Sequence, residues 1–262
     1  MSSVTQRITK IKQPRGGYIK PSQFKLQKID DGKILNEHEN IHASVIGMAV
    51  DYLTRFIMGT DVVEAFKISC MGAKVAEDIF KQKNTLKTAQ KLLMEIKGLD
   101  NISIINACKM VTYDVWYRNP MVAMTARGGA EDTNPDLETI ENIKIMVERS
   151  VKFWEEFGPI IQDGFTFEPN GYTDTVDTGD GDYLTVDTLW DFKVSKSKPT
   201  NKHTLQLLMY WIMGGQHSGQ KVYKNITRLG IFNPRLNFVY TLDLVDIAPE
   251  IIEEIERDVI CY

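Results

Sequence analysis

With 262 residues, 43% of them hydrophobic and 25% charged, the chain can build one large core or two small ones and has an ordinary globular balance. It contains no apolar run of about 18 residues, so no transmembrane helix is expected, and Met-Ser-Ser-Val-Thr-Gln-Arg lacks the apolar centre of a signal peptide. The net charge of −4 conceals a segregation: residues 1–29 carry seven basic side chains and no acid, leaving 24 basic against 35 acidic residues in the remainder.

The basic stretch (Arg7, Lys10, Lys12, Arg15, Lys20, Lys25, Lys28) is broken by Pro14, Gly16-Gly17 and Pro21. It reads as a solvated arm over residues 1–33 with one short strand, able to touch a polyanion. From Asn40 the period is helical. Val45, Ile46, Ala49, Val50, Leu53, Phe56 and Ile57 form an apolar stripe that stops at Gly59-Thr60. Further helices are expected from an Asp61 N-cap to Phe80, over 84–97, over 101–118 and over 136–157, with Arg127–Pro135 as a loop. After Gly158-Pro159 the period falls to two, and strands are expected at 164–168, 171–177, 180–185 and 188–195. A buried helix over 200–214, strands at 226–233 and 236–243, and a helix opened by Pro249 complete the chain. The expectation is an α/β protein with a largely helical N-terminal half: an arm (1–33), then a single domain (34–262) whose parts are mostly helical (34–158) and sheet-containing (159–262). Cys70, Cys108 and Cys261 are scattered and odd in number, which points to free thiols in a reducing, cytoplasmic setting.

The chemistry concentrates in residues 179–193, Gly-Asp-Gly-Asp-Tyr-Leu-Thr-Val-Asp-Thr-Leu-Trp-Asp-Phe-Lys. A hairpin centred between Val186 and Asp187 sets Asp182 opposite Asp191 and Asp180 opposite Lys193, and opposed residues share a face. Alternation then sends Trp190, Phe192 and Val194 to the other face, into a core. Two carboxylates held together repel unless a cation separates them, and Mg²⁺ or Mn²⁺ suits such oxygen donors. Lys193 could orient an attacking hydroxide or neutralise a phosphoryl oxygen. Asp174, Asp177 and Asp187 read as turn residues. Lys196, Lys198 and Lys202 suit a nucleic-acid backbone, and Gln206 and Tyr210 share a helix face at i, i+4. A calcium-loop reading fails because Leu184 and Thr185 occupy positions that need a ligand and a glycine.

These residues, Gly-Asp-Tyr-Leu-Thr-Val-Asp-Thr-Leu-Trp-Asp-Phe-Lys-Val-Ser followed by Thr-Leu-Gln-Leu-Leu-Met-Tyr-Trp, resemble the PD-(D/E)XK nuclease superfamily, especially its RecB-like and Cas4-like branches. The resemblance covers about residues 165–245. It implies a restriction-endonuclease-like mixed β-sheet flanked by helices, and Mg²⁺-dependent (or Mn²⁺-dependent) cleavage of DNA, less often RNA. On it, Asp182 matches the first acid, Asp191 and Lys193 the acid-x-Lys, and Gln206 and Tyr210 the helix motif. No proline precedes Asp182, and Asp180 competes as the first acid and metal ligand. Glu148, Glu155 and Glu156 are candidates for an additional helix glutamate. No Gly-x-x-x-x-Gly-Lys-Ser/Thr occurs, so a helicase or defence-system motor would be a separate partner.

Two rival readings stand beside this one. A nuclease fold can serve as a non-catalytic nucleic-acid- or protein-binding module. Separately, His38-Glu39-Asn40-Ile41-His42 matches the His-Glu-x-x-His pattern of zinc hydrolases, with Glu64 as a third ligand, although its context is polar and at a helix start.

Overall fold

The computed structural model describes residues 2–126, 128–216 and 221–262. In chain order its helices and strands are α1 (Val4–Lys10), β1 (Lys25–Lys28), α2 (Ala43–Ile57), α3 (Val62–Ala65), α4 (Lys67–Asp78), α5 (Thr85–Met94), α6 (Asn101–Val111), α7 (Asp114–Arg118), α8 (Pro120–Thr125) and α9 (Leu137–Phe157). Then follow β2 (Gln162–Phe165), β3 (Gly181–Leu184), β4 (Thr188–Phe192), α10 (Asn201–Gln216), β5 (Arg228–Asn233), β6 (Phe238–Asp243) and α11 (Pro249–Glu254). None of these helices is long and apolar enough to cross a membrane.

The contacts divide the chain into two units, Met1–Asp30 with Phe153–Tyr262, and Asp31–Lys152. This differs from the expected single domain over 34–262. The N-terminal arm counts with the sheet, and the division on the other side falls inside the continuous helix α9, where no change of composition marks it.

The sheet unit is mixed α/β. Its six strands run β1-β6-β5-β4-β3-β2, with β4 and β5 parallel and every other neighbouring pair antiparallel. Parallel neighbours need a crossover, which α10 supplies between β4 and β5. Period-two alternation gives the sheet two different faces. Leu184, Leu189, Leu229, Ile231 and Leu242 are buried in one cluster with Leu205, Leu208 and Met209 of α10 and with Val4 and Ile8 of α1. On the opposite face the rings close ranks: Phe153 stacks on Phe232 with centroids 3.9 Å apart and meets Trp190 edge-on at 5.0 Å, while Trp154 lies 4.6 Å from Tyr183. Gly230 pairs with Trp190 across the parallel ladder, and a Cβ there would enter the indole ring.

The arm is folded, with Val4, Ile8, Ile19 and Phe24 buried and its lysines exposed. Ser3 caps α1 in a reciprocal box with Gln6, and Arg7 donates from Nε to the Val259 carbonyl at 2.7 Å and from Nη2 to that of Asp258 at 2.9 Å. Its cation thus satisfies carbonyls near the end of the last helical turns, a favourable place for positive charge. The polar sequence Lys25–Lys28 forms β1 by backbone pairing with β6, with all four residues exposed. The strand expected at 171–177 is absent. Thr173 explains this locally: its hydroxyl accepts from the Thr175 and Val176 amides and donates to the Ile260 carbonyl, which diverts the backbone from a ladder.

In the helical unit the α2 stripe is as expected, with Ile46, Ala49, Val50 and Leu53 buried. Each of the two helices expected over 61–80 and 101–118 is broken in two, at Phe66 and at Thr112-Tyr113. Gly72 of α4 lies against the Tyr113 carbonyl so closely that a Cβ would overlap it. The short helix α8 was not expected. Pro120 opens it, and the Asn119 side chain accepts from the Val122 amide. Two acids are held inside this unit. Asp114 accepts from the hydroxyls of Tyr52 and Ser69, and burial raises its pKa against those bonds. Asp31 accepts both Nε (2.7 Å) and Nη2 (3.0 Å) of the buried Arg149, whose guanidinium lowers the Asp31 pKa.

Two predictions follow from packing and charge. Gly230→Ala should destabilise the protein by about 1–3 kcal/mol in denaturant unfolding, because the indole of Trp190 must leave its place. Arg149→Met should cost roughly 3 kcal/mol at neutral pH by leaving the Asp31 charge with the Lys33 amide but without its cation. Because the folded Asp31 pKa is depressed, the stabilisation is present above the unfolded aspartate value of about 3.9 and is lost as pH falls through the folded value. The gap between wild type and variant should therefore narrow in melts below about pH 4.

Candidate metal centre

The β3–β4 hairpin positions the site. Thr185 donates its amide to the Thr188 carbonyl at 3.0 Å, so Val186 and Asp187 form the exposed tip. The ladder pairs Tyr183 with Trp190 and Leu184 with Leu189, which is the register expected from the sequence. Continued by one step, it sets Asp182 across from Asp191. There the strands part. Alternation of the antiparallel ladder would give the Phe192 amide to the Gly181 carbonyl, but that amide donates to Asp182 Oδ2 at 2.7 Å. The Asp182 carboxylate is thereby fixed at the point where the hairpin opens.

Asp191 is 2% exposed. Its Oδ1 receives the Lys193 ammonium at 2.8 Å, and its Oδ2 is buried without a hydrogen-bond partner. Alternation along β4 puts Asp191 on the side of Leu189, the face covered by α10, and sends Trp190 into the aromatic cluster. From α10, Gln206 Nε2 donates to the Tyr210 hydroxyl at 2.8 Å. Burial raises the Tyr210 pKa, and the charges of Asp182, Asp191 and Asp180 add to it, so the phenol stays protonated. The predicted residues thus fall on two neighbouring elements: Asp191 bonded to Lys193 at the end of β4 with Asp182 on the Phe192 amide between them, and Gln206 bonded to Tyr210 on α10.

The other expectations divide. Asp180 lies outside β3 and is exposed, so the ladder does not carry the expected opposition to Lys193, yet its charge reaches Tyr210 and Tyr172. Lys196, Lys198 and Lys202 are exposed on the segment that leads into α10 and on its first turn. Asp187 serves the turn, accepting from its neighbour Thr188 through Oδ1 and from the Thr227 and Arg228 amides through its carbonyl. Glu148 pairs with Lys33 in the helical unit and gives no sign of a metal role.

The His38–His42 segment does not form the helix that a zinc site of that pattern requires. His38 is exposed and non-helical, His42 is the N-cap of α2, accepting from the Ser44 amide, and Glu39 accepts from Asn142. The two imidazoles therefore do not stand one helical turn apart, and the zinc reading is set aside. His42 instead helps to line a cavity of about 700 Å³ in the helical unit, with Asn40, Trp116, Met124 and Thr133. Cys108 is buried, its thiol pushed up to about 12 by desolvation, while Cys70 is half-buried and Cys261 exposed, and all three are free.

One residue to which the sequence analysis gave no role belongs beside these. His203 stands one turn ahead of Gln206, and its Nδ1 accepts from the Thr200 amide at 3.2 Å. Burial and the Lys193 ammonium lower its pKa, and Asp191 opposes them. The signal was available as spacing: 203, 206 and 210 fall at i, i+3 and i+7 on one helical stripe.

Among the described residues no three His, Cys, Asp or Glu side chains converge as a ready-made metal site. The oxygen donors nonetheless suit a hard cation that keeps several waters and needs only one or two carboxylates, and the orphaned Asp191 oxygen marks where positive charge is lacking. No family model, curated protein or solved structure matches the chain.

A carboxylate oxygen buried without a partner predicts ligand-linked stability. Millimolar Mg²⁺ or Mn²⁺ should raise the melting temperature of the wild type and leave that of Asp191→Asn unmoved in differential scanning fluorimetry, since only the native state offers the site.

Proposed function

We propose that the protein is a divalent-metal-dependent nuclease that hydrolyses phosphodiester bonds, in DNA before RNA. The reading rests on one observation: buried Asp191, tied to Lys193 through one oxygen and unsatisfied at the other, on the hairpin that sets it opposite Asp182. The resemblance of these strands and of the Gln-x-x-x-Tyr helix to the PD-(D/E)XK superfamily agrees with it, and the mixed sheet with its helical crossover is compatible with a restriction-endonuclease-like core.

Asp182 and Asp191 would hold Mg²⁺ or Mn²⁺, with Asp180 as the nearest further acid. When bound, such an ion lowers the pKa of a coordinated water and stabilises charge on a phosphoryl oxygen. The chain's own groups do the rest. Lys193, anchored by Asp191, offers an ammonium to the non-bridging oxygen as negative charge grows there. Tyr210, kept protonated, holds the Gln206 amide in place, and Gln206 presents its remaining polar capacity toward the water or the phosphate. Lys196, Lys198 and Lys202 give an exposed cationic approach that tracks the backbone without reading bases. This local charge offsets the acidic body. A helicase or defence-system protein is a partner this reading allows, and the setting we infer is cytoplasmic.

The test is cleavage of plasmid and single-stranded DNA, and of RNA, with Mg²⁺ or Mn²⁺. Asp191→Ala should abolish cutting, and Lys193→Ala should lower kcat by about 10²-fold or more, with both variants folded by circular dichroism. Equal cutting by wild type and both variants would sink the assignment. Binding without cutting by all three would favour the non-catalytic module.

A further inference from the structure

The α10 stripe does not end at Gln206. His203, Gln206 and Tyr210 repeat at i, i+3 and i+7, so they lie along one side of the helix. The charges of the hairpin carboxylates reach Tyr210, to which Gln206 is hydrogen-bonded. His203 is at the first turn, and the fields of Lys193 and Asp191 both reach its ring.

The bonding of the ring fixes its tautomer. Nδ1 accepts the Thr200 amide, so in the neutral imidazole the proton resides on Nε2. Half-burial and the adjacent ammonium favour that neutral form. With Nδ1 committed inside the helix cap, Nε2–H is the donor left for something outside the chain. The Lys193 ammonium and the Asp191 carboxylate both act on the ring, which stands in the first turn of a 16-residue helix whose N-terminus favours negative charge.

We infer that His203 is a substrate-binding residue whose Nε2–H donates to a phosphate oxygen of the nucleic-acid backbone, one turn of α10 ahead of Gln206. This rests on the nuclease reading of the same hairpin. It assigns to the first turn of α10 a phosphate contact that neither the acid-x-Lys strand nor the Gln-x-x-x-Tyr pair supplies. The contact is sequence-independent and acts on binding more than on the chemical step.

Two substitutions separate this role from simple capping. At this third helical position both Gln and Glu can accept the Thr200 amide, as Gln6 accepts that of Ser3, but only Gln carries a donor. His203→Ala and His203→Glu should weaken binding of a short oligonucleotide about tenfold in metal-free fluorescence anisotropy, and raise KM by a similar factor with kcat little changed. His203→Gln should recover most of both. Recovery by Glu as full as by Gln would show a capping residue and overturn the inference. So would wild-type affinity and KM in His203→Ala while the wild type still cleaves and Asp191→Ala does not, an outcome that leaves the nuclease reading intact. A wild type that neither binds nor cleaves nucleic acid overturns both.

Discussion

Asp191 is a carboxylate in the wrong place for stability alone. It sits on a central strand, flanked by β5 and β3 and covered by α10, where a leucine would serve the packing well. Burying an ionised group is costly even with a partner, and a buried ion pair often stabilises less than an apolar substitute of the same volume. Lys193 satisfies one oxygen and none of the described groups hydrogen-bonds the other. A fold under selection for stability only would have little reason to keep this arrangement, and a fold that must draw a cation to this point has a direct one.

The rest of the sheet unit can be read as support for that charge. Because side chains alternate, the strand that carries Asp191 toward α10 sends Trp190 and Phe192 the other way, where they join Phe153, Phe157 and Phe232 in a ring cluster. A one-residue slip would bury Asp191 among aromatics and drive two large rings into the face already filled by α10, so hydrophobic burial and site geometry are locked to the same register. The glycine at position 230 serves the same end by leaving room for the indole. On the other face α10 is almost wholly buried from Thr204 to Gly214, and this apolar seating holds Gln206 and Tyr210 still relative to the hairpin.

The hairpin and α10 were legible because their signals are local. A period-two pattern, a short polar tip and a following helical repeat state the register before any tertiary contact is known. What failed was non-local or ambiguous. The one short strand expected in the arm does form, but its place at Lys25–Lys28, which has no apolar face, is set by the edge that β6 offers. The threonines after Gly171 alternate like a strand, yet the Thr173 hydroxyl takes the Thr175 and Val176 amides first. The boundary between the two units falls inside α9, where one amphipathic helix passes without a linker, and sequence has no mark for such a point. His38 to His42 has the right letters without a helix to space them.

Within the site, legibility followed chemistry unevenly. The acids and Lys193 stand out because charged residues on a buried strand contradict their surroundings. His203 does not contradict anything: a histidine near a helix start is ordinary, and its Nδ1 does ordinary capping work on the Thr200 amide. Its other nitrogen acquires meaning only from the stripe it shares with Gln206 and Tyr210 and from the Lys193 charge close by. The same histidine can thus stabilise the start of α10 with one nitrogen and present a donor with the other. A helix cap placed near the Lys193 ammonium costs the fold nothing extra and orients the donor rigidly, which is the condition under which one hydrogen bond to a phosphate contributes most.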